Sequence, residues 1–220
     1  MNVKRETSDH IIEAILNHIP FDGWSTTSLD LAAAECGLDK AEIHNLFPAG
    51  IVDAIAEYGA YADRHMLAAF QGLAAADIAA MPVQTKIRSL ILIRLKQAAP
   101  HKEVVRRTLA VLALPQHAKL ASQLLYNTVD AMWRAAGDTS TDYNFYTKRA
   151  TLSAVYSATL LAFLSDNSVD MANTEAFLDR RLADVARLPK MTRPARALAD
   201  MAMRFAGRFA NPTMRGRREG

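Results

Sequence analysis

The chain has 220 residues, of which 50% are hydrophobic, and it contains only 9 Gly and 8 Pro. This composition supports a full hydrophobic core and excludes low-complexity and β-rich architectures, while the abundance of Ala and Leu favours an all-α fold. The single cysteine, Cys36, excludes an internal disulfide and is typical of a reducing compartment. Since no apolar run could span a membrane and no signal or transit segment follows Met1, we expect a cytoplasmic chain.

The formal net charge of +3 is unevenly distributed along the chain. Residues 190–220 contain eight basic and two acidic residues, a net charge of +6, so residues 1–189 carry −3. The basic character of the chain therefore belongs to its tail. We predict three parts: an N-terminal subdomain at residues 6–70, a second helical subdomain at 83–188, and the basic tail from 190 onwards.

Hydrophobic periodicity predicts helices along almost the whole chain. The first helix is expected to end before Pro20, and residues 74–82 are expected to form a linker. A helix that starts from a cap at Ser140, Thr141 or Asp142 should continue to Leu164. The other predicted helices cover residues 6–19, 28–35, 39–46, 49–70, 83–98, 102–112, 117–136 and 174–188.

Two short helices, a tight turn at Gly37 and a following long helix have the order of a helix-turn-helix region. This region resembles the N-terminal part of TetR-family repressors. The residues that carry the resemblance are 37–40 (GLDK) and 44–47 (HNLF). The resemblance implies a TetR-like helical domain, and a TetR-type, ligand-responsive transcriptional regulator is the alternative function.

The charge of this region argues against DNA as a partner. Residues 6–63 contain one basic residue, Lys40, and eleven acidic ones, a net charge of −10. Proteins that bind DNA gain affinity by neutralising phosphates with Lys and Arg. We therefore expect the fold of a DNA-binding protein without binding to nucleic acid.

Motifs of catalysis are missing from the sequence. The six histidines show no metal-binding spacing, and neither a nucleophile elbow nor a phosphate-binding glycine loop occurs. Asp130, Asp138 and Asp142 fall near one another, but two of the three are better explained as helix caps than as catalytic carboxylates. We expect a protein that is not an enzyme and that holds neither a cofactor nor a metal.

Residues 194–209 predict a basic amphipathic helix, which Pro189 and Pro194 separate from the body. A tethered helix of this kind is typical of proteins that lie in a membrane interface, where anionic headgroups add about 1 kcal/mol per basic residue. The alternative is a helix that packs on the domain or on the second subunit of a homodimer. The predicted membrane-binding residues are Leu198, Met201, Phe205, Phe209, Arg196, Arg204 and Arg208.

Residues 127–150, which we call the aromatic segment, combine large side chains with polar tips. A helix stop at Gly137 divides the segment in two. Side chains of this kind at a surface indicate recognition of a partner, and a buried helix–helix core is the alternative with equal weight. The large residues of the segment are Met132, Trp133, Tyr143, Phe145 and Tyr146.

The aromatic segment is similar to the signature of a family of lipid-binding accessory proteins in ubiquinone biosynthesis, the COQ9 family. The string runs VDAMW at residues 129–133 and AGDTSTDYNFYTKRA at residues 136–150. The likeness extends to LALP at residues 112–115 and to the helix around residues 177–180, and it covers most of residues 8–210. Phe145 departs from the family, in which Trp occurs, so the indole N–H is absent here.

This resemblance implies a TetR-like fold without DNA binding, an apolar pocket for isoprenoid quinone intermediates or other lipids, and membrane docking through the last helix. It also implies that demethoxyubiquinone hydroxylase, or another hydroxylase of the pathway, receives its substrate from this protein. The location implied is the cytoplasm of a bacterium, peripheral to the inner membrane.

Two sets of residues follow. Carried over by position from the family, the partner-binding residues are Asp130, Met132, Trp133, Tyr143, Phe145, Tyr146 and Arg149. As pocket-lining residues we expect Leu90, Leu95, Leu124, Leu160 and Phe163, for which plain core is the alternative.

Overall fold

The structure is a computed structural model that describes residues 2–139 and 143–187. α-Helices make up almost all of this part of the chain and it contains no β-strand, which confirms the predicted all-α fold. The helices are α1 (Asn2–Asp22), α2 (Thr26–Glu35), α3 (Lys40–Leu46), α4 (Ile51–Gln71), α5 (Ala75–Ala80), α6 (Val83–Ala98), α7 (Lys102–Leu112), α8 (Ala118–Ala135), α9 (Tyr143–Ser165) and α10 (Ala172–Arg187).

Local capping explains the two short helices of the helix-turn-helix region. Ser25 caps α2 and Asp39 caps α3, in each case by accepting a hydrogen bond from the backbone N–H three residues on. The side chains of Ser28 and Glu42 bond back to the cap residues and complete two capping boxes. The predicted helices at this point are therefore correct to within two residues at their ends.

Helix α1 is longer than predicted, because it continues through Pro20 to Asp22. Proline removes one intrahelical hydrogen bond, but the loss falls in the last turn of the helix, where it disturbs little. The carbonyl oxygen of Pro20 also accepts a hydrogen bond of 2.9 Å from Arg107 Nη2 of α7. The prediction that this helix ends before Pro20 is wrong.

The predicted linker at residues 74–82 contains the six-residue helix α5. Its sequence, AADIAA, is rich in alanine, the residue with the highest intrinsic helix propensity. None of its residues is fully buried. The helix propensity of alanine therefore explains why this connection is helical. Because the helix has no buried apolar face, hydrophobic periodicity did not predict it.

Two hydrophobic cores share helix α4. The N-terminal core joins α1, α2, α3 and the first part of α4, and it includes Val104 of α7. The C-terminal core begins with Met66 and Phe70 at the end of α4 and continues through α6, α8, α9 and α10. The same helix thus supports the helix-turn-helix region and the C-terminal bundle. Within the described ranges no helix is long and apolar enough to cross a membrane.

The carboxylate of Asp166 organises the turn between α9 and α10. It accepts hydrogen bonds from the backbone N–H and the hydroxyl of Ser168, and from the backbone N–H and the hydroxyl of Thr174, at 2.6 to 2.8 Å. The Ser168 and Thr174 donors hold the pKa of Asp166 well below its usual range. This turn fixes where α10 begins against α9.

Candidate functional site

A cavity of about 370 Å³ lies between α4, α6, α7, α8 and α9. Its wall is mainly aliphatic and includes Leu95 of α6, Leu109 of α7, Leu124 of α8 and Leu160 of α9. Leu161 also lines it and is 63% exposed, so the cavity opens to solvent beside this residue. Cavities of this size and composition hold small apolar ligands.

A glycine brings two walls of the cavity close together. A Cβ atom at Gly59 of α4 would lie only 2.7 Å from Leu124 Cδ2 of α8, which is too close for two carbon atoms. The missing side chain therefore allows Leu124 to occupy its present position. Gly59 and Leu124 together set the width of the cavity at this point.

The five predicted pocket residues divide into two groups. Leu95, Leu124 and Leu160 line the cavity. Leu90 and Phe163 have no accessible surface and pack in the C-terminal core, away from the cavity wall, so the prediction that they line it is corrected. Helical periodicity marks every side chain that faces inward, and it does not distinguish a packed side chain from one that borders a space.

A polar cluster, which we call the Arg94 cluster, interrupts the apolar wall. It consists of Arg94, Asp63, Thr128, Tyr58 and Tyr156, all of which except Asp63 line the cavity. Arg94 Nε and Asp63 Oδ1 are 3.5 Å apart, and the two side chains are 12% and 13% exposed. The Thr128 hydroxyl donates to Asp63 at 2.9 Å. Burial raises the pKa of Asp63, and the charge of Arg94 offsets part of this increase.

The donors of the Arg94 cluster are not used up by the protein. Arg94 Nε is buried without a hydrogen-bond partner, and its 3.5 Å contact with Asp63 is a long ion pair. Burial raises the pKa values of Tyr58 and Tyr156, and the charge of Arg94 offsets only part of this increase. Neither phenol forms a hydrogen bond within the same ranges. The cavity therefore offers a guanidinium and two neutral hydroxyls to a ligand.

Within the aromatic segment, α8 ends in a Schellman motif. The backbone N–H of Gly137 donates to the carbonyl of Arg134, and that of Asp138 donates to the carbonyl of Trp133, both at 3.0 Å. Gly137 has a φ of +91°, which strains any residue with a side chain. The predicted helix stop is confirmed, and it turns the Asp138 side chain towards α9.

A buried charge cluster, which we call the Arg149 cluster, joins α8 to α9. Arg149 is 4% exposed and pairs with Asp130 at 2.7 Å and with Asp138 at 3.1 Å. Lys148 Nζ contacts the same Asp138 at 2.7 Å. The Arg149 guanidinium also lies 3.3 Å from the centroid of the Phe145 ring. Asp130 and Asp138 are thus the ion-pair partners of Arg149.

Exposure differs widely among the predicted partner-binding residues. Met132 has no accessible surface and Arg149 is almost fully buried, so these two support the surface from within. Trp133 and Phe145 are half-buried, and Tyr146 is 52% exposed. The exposure expected of a recognition surface is therefore present at the three aromatic positions.

Trp133 also borders a second cavity, of about 410 Å³, between α6, α9 and α10. Its indole N–H donates to the carbonyl of Lys148 at 3.2 Å, and Lys148 Nζ lies 5.4 Å from the centroid of the indole ring. These contacts fix the indole at the edge of the aromatic segment. No pattern in the sequence predicts this second cavity.

Within the described ranges, no group of three or more His, Cys, Asp or Glu side chains is arranged to hold a metal ion. Asp130 and Asp138 approach each other through Arg149, which neutralises them. Asp142 lies outside the described residues.

The chain is similar to known proteins both in sequence and in fold. The family model for COQ9 matches residues 118–189, which contain α8, the aromatic segment, α9 and α10. The curated relatives include the mitochondrial ubiquinone biosynthesis protein COQ9 of Rattus norvegicus, which is 31% identical over 84% of this chain and 60% of its own length. The COQ9 proteins of Homo sapiens and Drosophila melanogaster are 28% and 29% identical, over 84% and 82% of this chain and 59% and 56% of their own. This chain belongs to the COQ9 family.

The chain spans about three fifths of the length of these curated COQ9 relatives. A TetR transcriptional regulator from Nitrosomonas europaea has a similar fold, with a TM-score of 0.65 and 22% identity over 82% of this chain and 98% of its own. The predicted TetR-like fold is therefore confirmed, while this likeness carries no information on function.

Several residues predicted from the COQ9 resemblance fall outside the described part of the chain. The structure describes α9 from Tyr143 onwards but not the side chain of Tyr143. The predicted membrane-binding residues, from Arg196 to Phe209, all lie beyond residue 187.

The sequence did not predict the Arg94 cluster. Its members come from four helices and are far apart in sequence. One signal was present: Arg94 interrupts the apolar run LILI-R-L of α6. A charged residue inside an apolar stripe is costly to bury without a partner, so it indicates a buried polar site.

Proposed function

We propose that this chain is a lipid-binding accessory protein of ubiquinone biosynthesis. It shelters an isoprenoid quinone intermediate and presents it to a hydroxylase such as demethoxyubiquinone hydroxylase. The observation that carries this proposal is the open, leucine-lined cavity between α4 and α9. A polyprenyl quinone is almost insoluble in water, and burial of its apolar surface contributes about 25 cal/mol per Å². The names of the curated relatives support the pathway.

Lipid analysis tests the cavity. Solvent extraction of the purified protein and mass spectrometry should find an isoprenoid lipid. Ala121 of α8 lines the cavity, so Ala121→Phe should fill part of it and reduce the bound lipid several-fold. Ala118→Phe, at an exposed position in the first turn of α8 that does not line the cavity, is the control and should keep the lipid. Absence of lipid from the unmodified protein would count against the proposal.

The aromatic segment is the proposed docking surface for the hydroxylase. Tyr146 is its most accessible described aromatic residue, and Trp133 and Phe145 are half-buried beside it. Aromatic side chains of this kind supply much of the binding energy in protein interfaces. Met132 and Arg149 contribute from below, because they hold α8 and α9 in place.

Tyr146→Lys is the sharpest test of this surface. Phe145 is a poor choice, because a lysine there would bring a second cation against Arg149, which stacks on the Phe145 ring. Tyr146→Lys should abolish copurification with the hydroxylase at unchanged helicity. Tyr126→Lys, at an exposed tyrosine of α8 outside the signature string, is the control and should retain the partner. Equal copurification of both variants would exclude the assignment.

The basic amphipathic sequence at residues 194–209 is proposed to hold the cavity at a membrane surface. A chain that ends at residue 187 keeps every described helix and should no longer float with anionic liposomes. Flotation of this shortened chain at the level of the full chain would refute membrane docking through the tail.

A further inference from the structure

The Arg94 cluster has no structural role that would use all of its polar groups. An arginine carries five N–H donors, and buried donors without an acceptor cost free energy. Arg94 is 12% exposed, its Nε has no partner, and its contact with Asp63 is an ion pair at 3.5 Å. An apolar tail placed beside Arg94 would leave these donors without a partner and also exclude water from them. A ligand that fills this end of the cavity must therefore bring acceptor oxygens.

The net charge of the cluster restricts which oxygens those are. Asp63 already balances Arg94, and Thr128 donates to Asp63, so the carboxylate is held beside the guanidinium. Burial of a further anion, such as a phosphate, would add an uncompensated negative charge next to Asp63. An uncharged oxygen adds none. Tyr58 and Tyr156 are neutral hydroxyls that donate to or accept from such an oxygen.

The other buried arginine described above shows what a satisfied site looks like. Arg149 donates to two carboxylates and to the carbonyl of Phe145, and its guanidinium is covered by the Phe145 ring. Arg94 instead faces one carboxylate, that of Asp63, at 3.5 Å, and it borders a cavity.

We propose that the Arg94 cluster binds the uncharged, oxygen-bearing ring of the ligand, with its apolar tail along the leucine-lined wall towards Leu161, and that the Arg94–Asp63 pair discriminates against anionic heads. This inference rests on the proposed lipid binding and adds the orientation of the ligand and its class of head group. Arg94 acts here as a hydrogen-bond donor to a ring oxygen, and Asp63 acts through the charge of Arg94.

Three probes with the same ten-carbon isoprenoid tail separate the head from the tail: ubiquinone with two isoprene units, geraniol, and geranyl phosphate. Equilibrium dialysis against the full chain measures each Kd. The unmodified protein should bind the quinone most tightly and the phosphate most weakly. Arg94→Met keeps the length of the side chain and should weaken quinone binding about tenfold, about 1.4 kcal/mol, while geraniol binding changes less than about twofold.

Asp63→Asn provides a change in the opposite direction, which loss of folding could not produce. It leaves Arg94 without a counter-charge, so binding of geranyl phosphate should become about tenfold tighter. Quinone binding should change much less, because the quinone is uncharged.

The outcomes are distinguishable. Binding of none of the three probes by the unmodified protein contradicts lipid binding itself and the inference with it. Binding of quinone that Arg94→Met leaves unchanged contradicts only the recognition of the head. Equal losses of quinone and geraniol in Arg94→Met would show that the arginine does not distinguish the ring from a simple hydroxyl, which would overturn the assignment of the ring to the cluster. An unmodified protein that prefers the phosphate would overturn the charge argument.

Discussion

The Arg94 cluster and the Arg149 cluster both place an arginine and aspartate in the interior, yet they differ in how completely their hydrogen bonds are satisfied. Arg149 donates to Asp130, Asp138 and a backbone carbonyl. Arg94 faces Asp63 at 3.5 Å and borders a cavity. Charged groups that the protein satisfies fully hold helices together, whereas charged groups that it leaves unsatisfied beside a space are available to a ligand.

The largest effect is expected at Arg149. Arg149→Ala removes the buried counter-charge that Asp130 and Asp138 share, and removal of one partner from a buried ion pair costs about 3–5 kcal/mol. Urea unfolding followed by circular dichroism measures this loss. Arg134→Ala removes an exposed partner of the same Asp130 and should cost less than about 1 kcal/mol. Equal losses in the two variants would mean that the Arg149 cluster does not stabilise the α8–α9 junction.

The contrast between these arginines also shows what the sequence could predict. Apolar periodicity and the prolines at positions 100 and 115 predicted the bounds of α6 and α7 correctly, because these signals are local in the sequence. The aromatic segment was found from its residue types. The exposure of Tyr146 was expected, but the sequence did not predict that Met132 and Arg149 are buried, because burial depends on how α8 and α9 pack.

The candidate site was predicted only in part, for the same physical reason. Leu95, Leu124 and Leu160 border a space, whereas Leu90 and Phe163 pack against neighbours, and all five belong to similar apolar stripes. What creates the space is the meeting of several helices, including the approach at Gly59. Contacts between side chains that are distant in the sequence are not encoded in any local pattern.

A smaller effect is expected from pH, which should change the contributions of Asp166 and Asp63 to stability in opposite directions. Four donors lower the pKa of Asp166, so its stabilising contribution is present above the unfolded pKa of about 3.9 and is lost as the pH falls through the folded pKa. Burial raises the pKa of Asp63, so its contribution is fully present below about pH 3.9 and is lost as the pH rises through the folded pKa.

The corresponding asparagine variants measure this difference. Relative to the unmodified protein, Asp166→Asn should lose most stability at pH 7, by about 1–2 kcal/mol, and progressively less on acidification. The stability of Asp63→Asn relative to the unmodified protein should instead improve as the pH rises from 3 to 7. Urea unfolding at each pH gives both slopes, and parallel slopes would contradict the assignment of Asp166 as a carboxylate stabilised by its donors and of Asp63 as one destabilised by burial.

A double-mutant cycle compares the two ion pairs directly. The coupling free energy between Arg149 and Asp130 should be about 2 kcal/mol, since the pair is short and buried. The coupling between Arg94 and Asp63 should be below about 1 kcal/mol, because at 3.5 Å no short hydrogen bond joins them. A coupling for Arg94 as large as that for Arg149 would place both arginines in the same structural class and remove the distinction between the clusters.

The smallest effect on stability is expected at Gly59, where binding rather than folding should respond. Gly59 lies within α4, and alanine is better than glycine in a helix interior by about 0.5–1 kcal/mol. The added Cβ would clash with Leu124 Cδ2 at 2.7 Å, which is the end of a flexible side chain and can rotate away. The free energy of unfolding of Gly59→Ala should therefore lie within about 1 kcal/mol of that of the unmodified protein, but the displaced Leu124 side chain narrows the apolar part of the cavity.

Dialysis of Gly59→Ala should show weaker binding of geraniol and of ubiquinone by a similar factor. Arg94→Met, in contrast, should weaken the binding of the quinone much more than that of geraniol. Loss of quinone binding without loss of geraniol binding in Gly59→Ala would mean that the tail does not occupy the wall at Leu124.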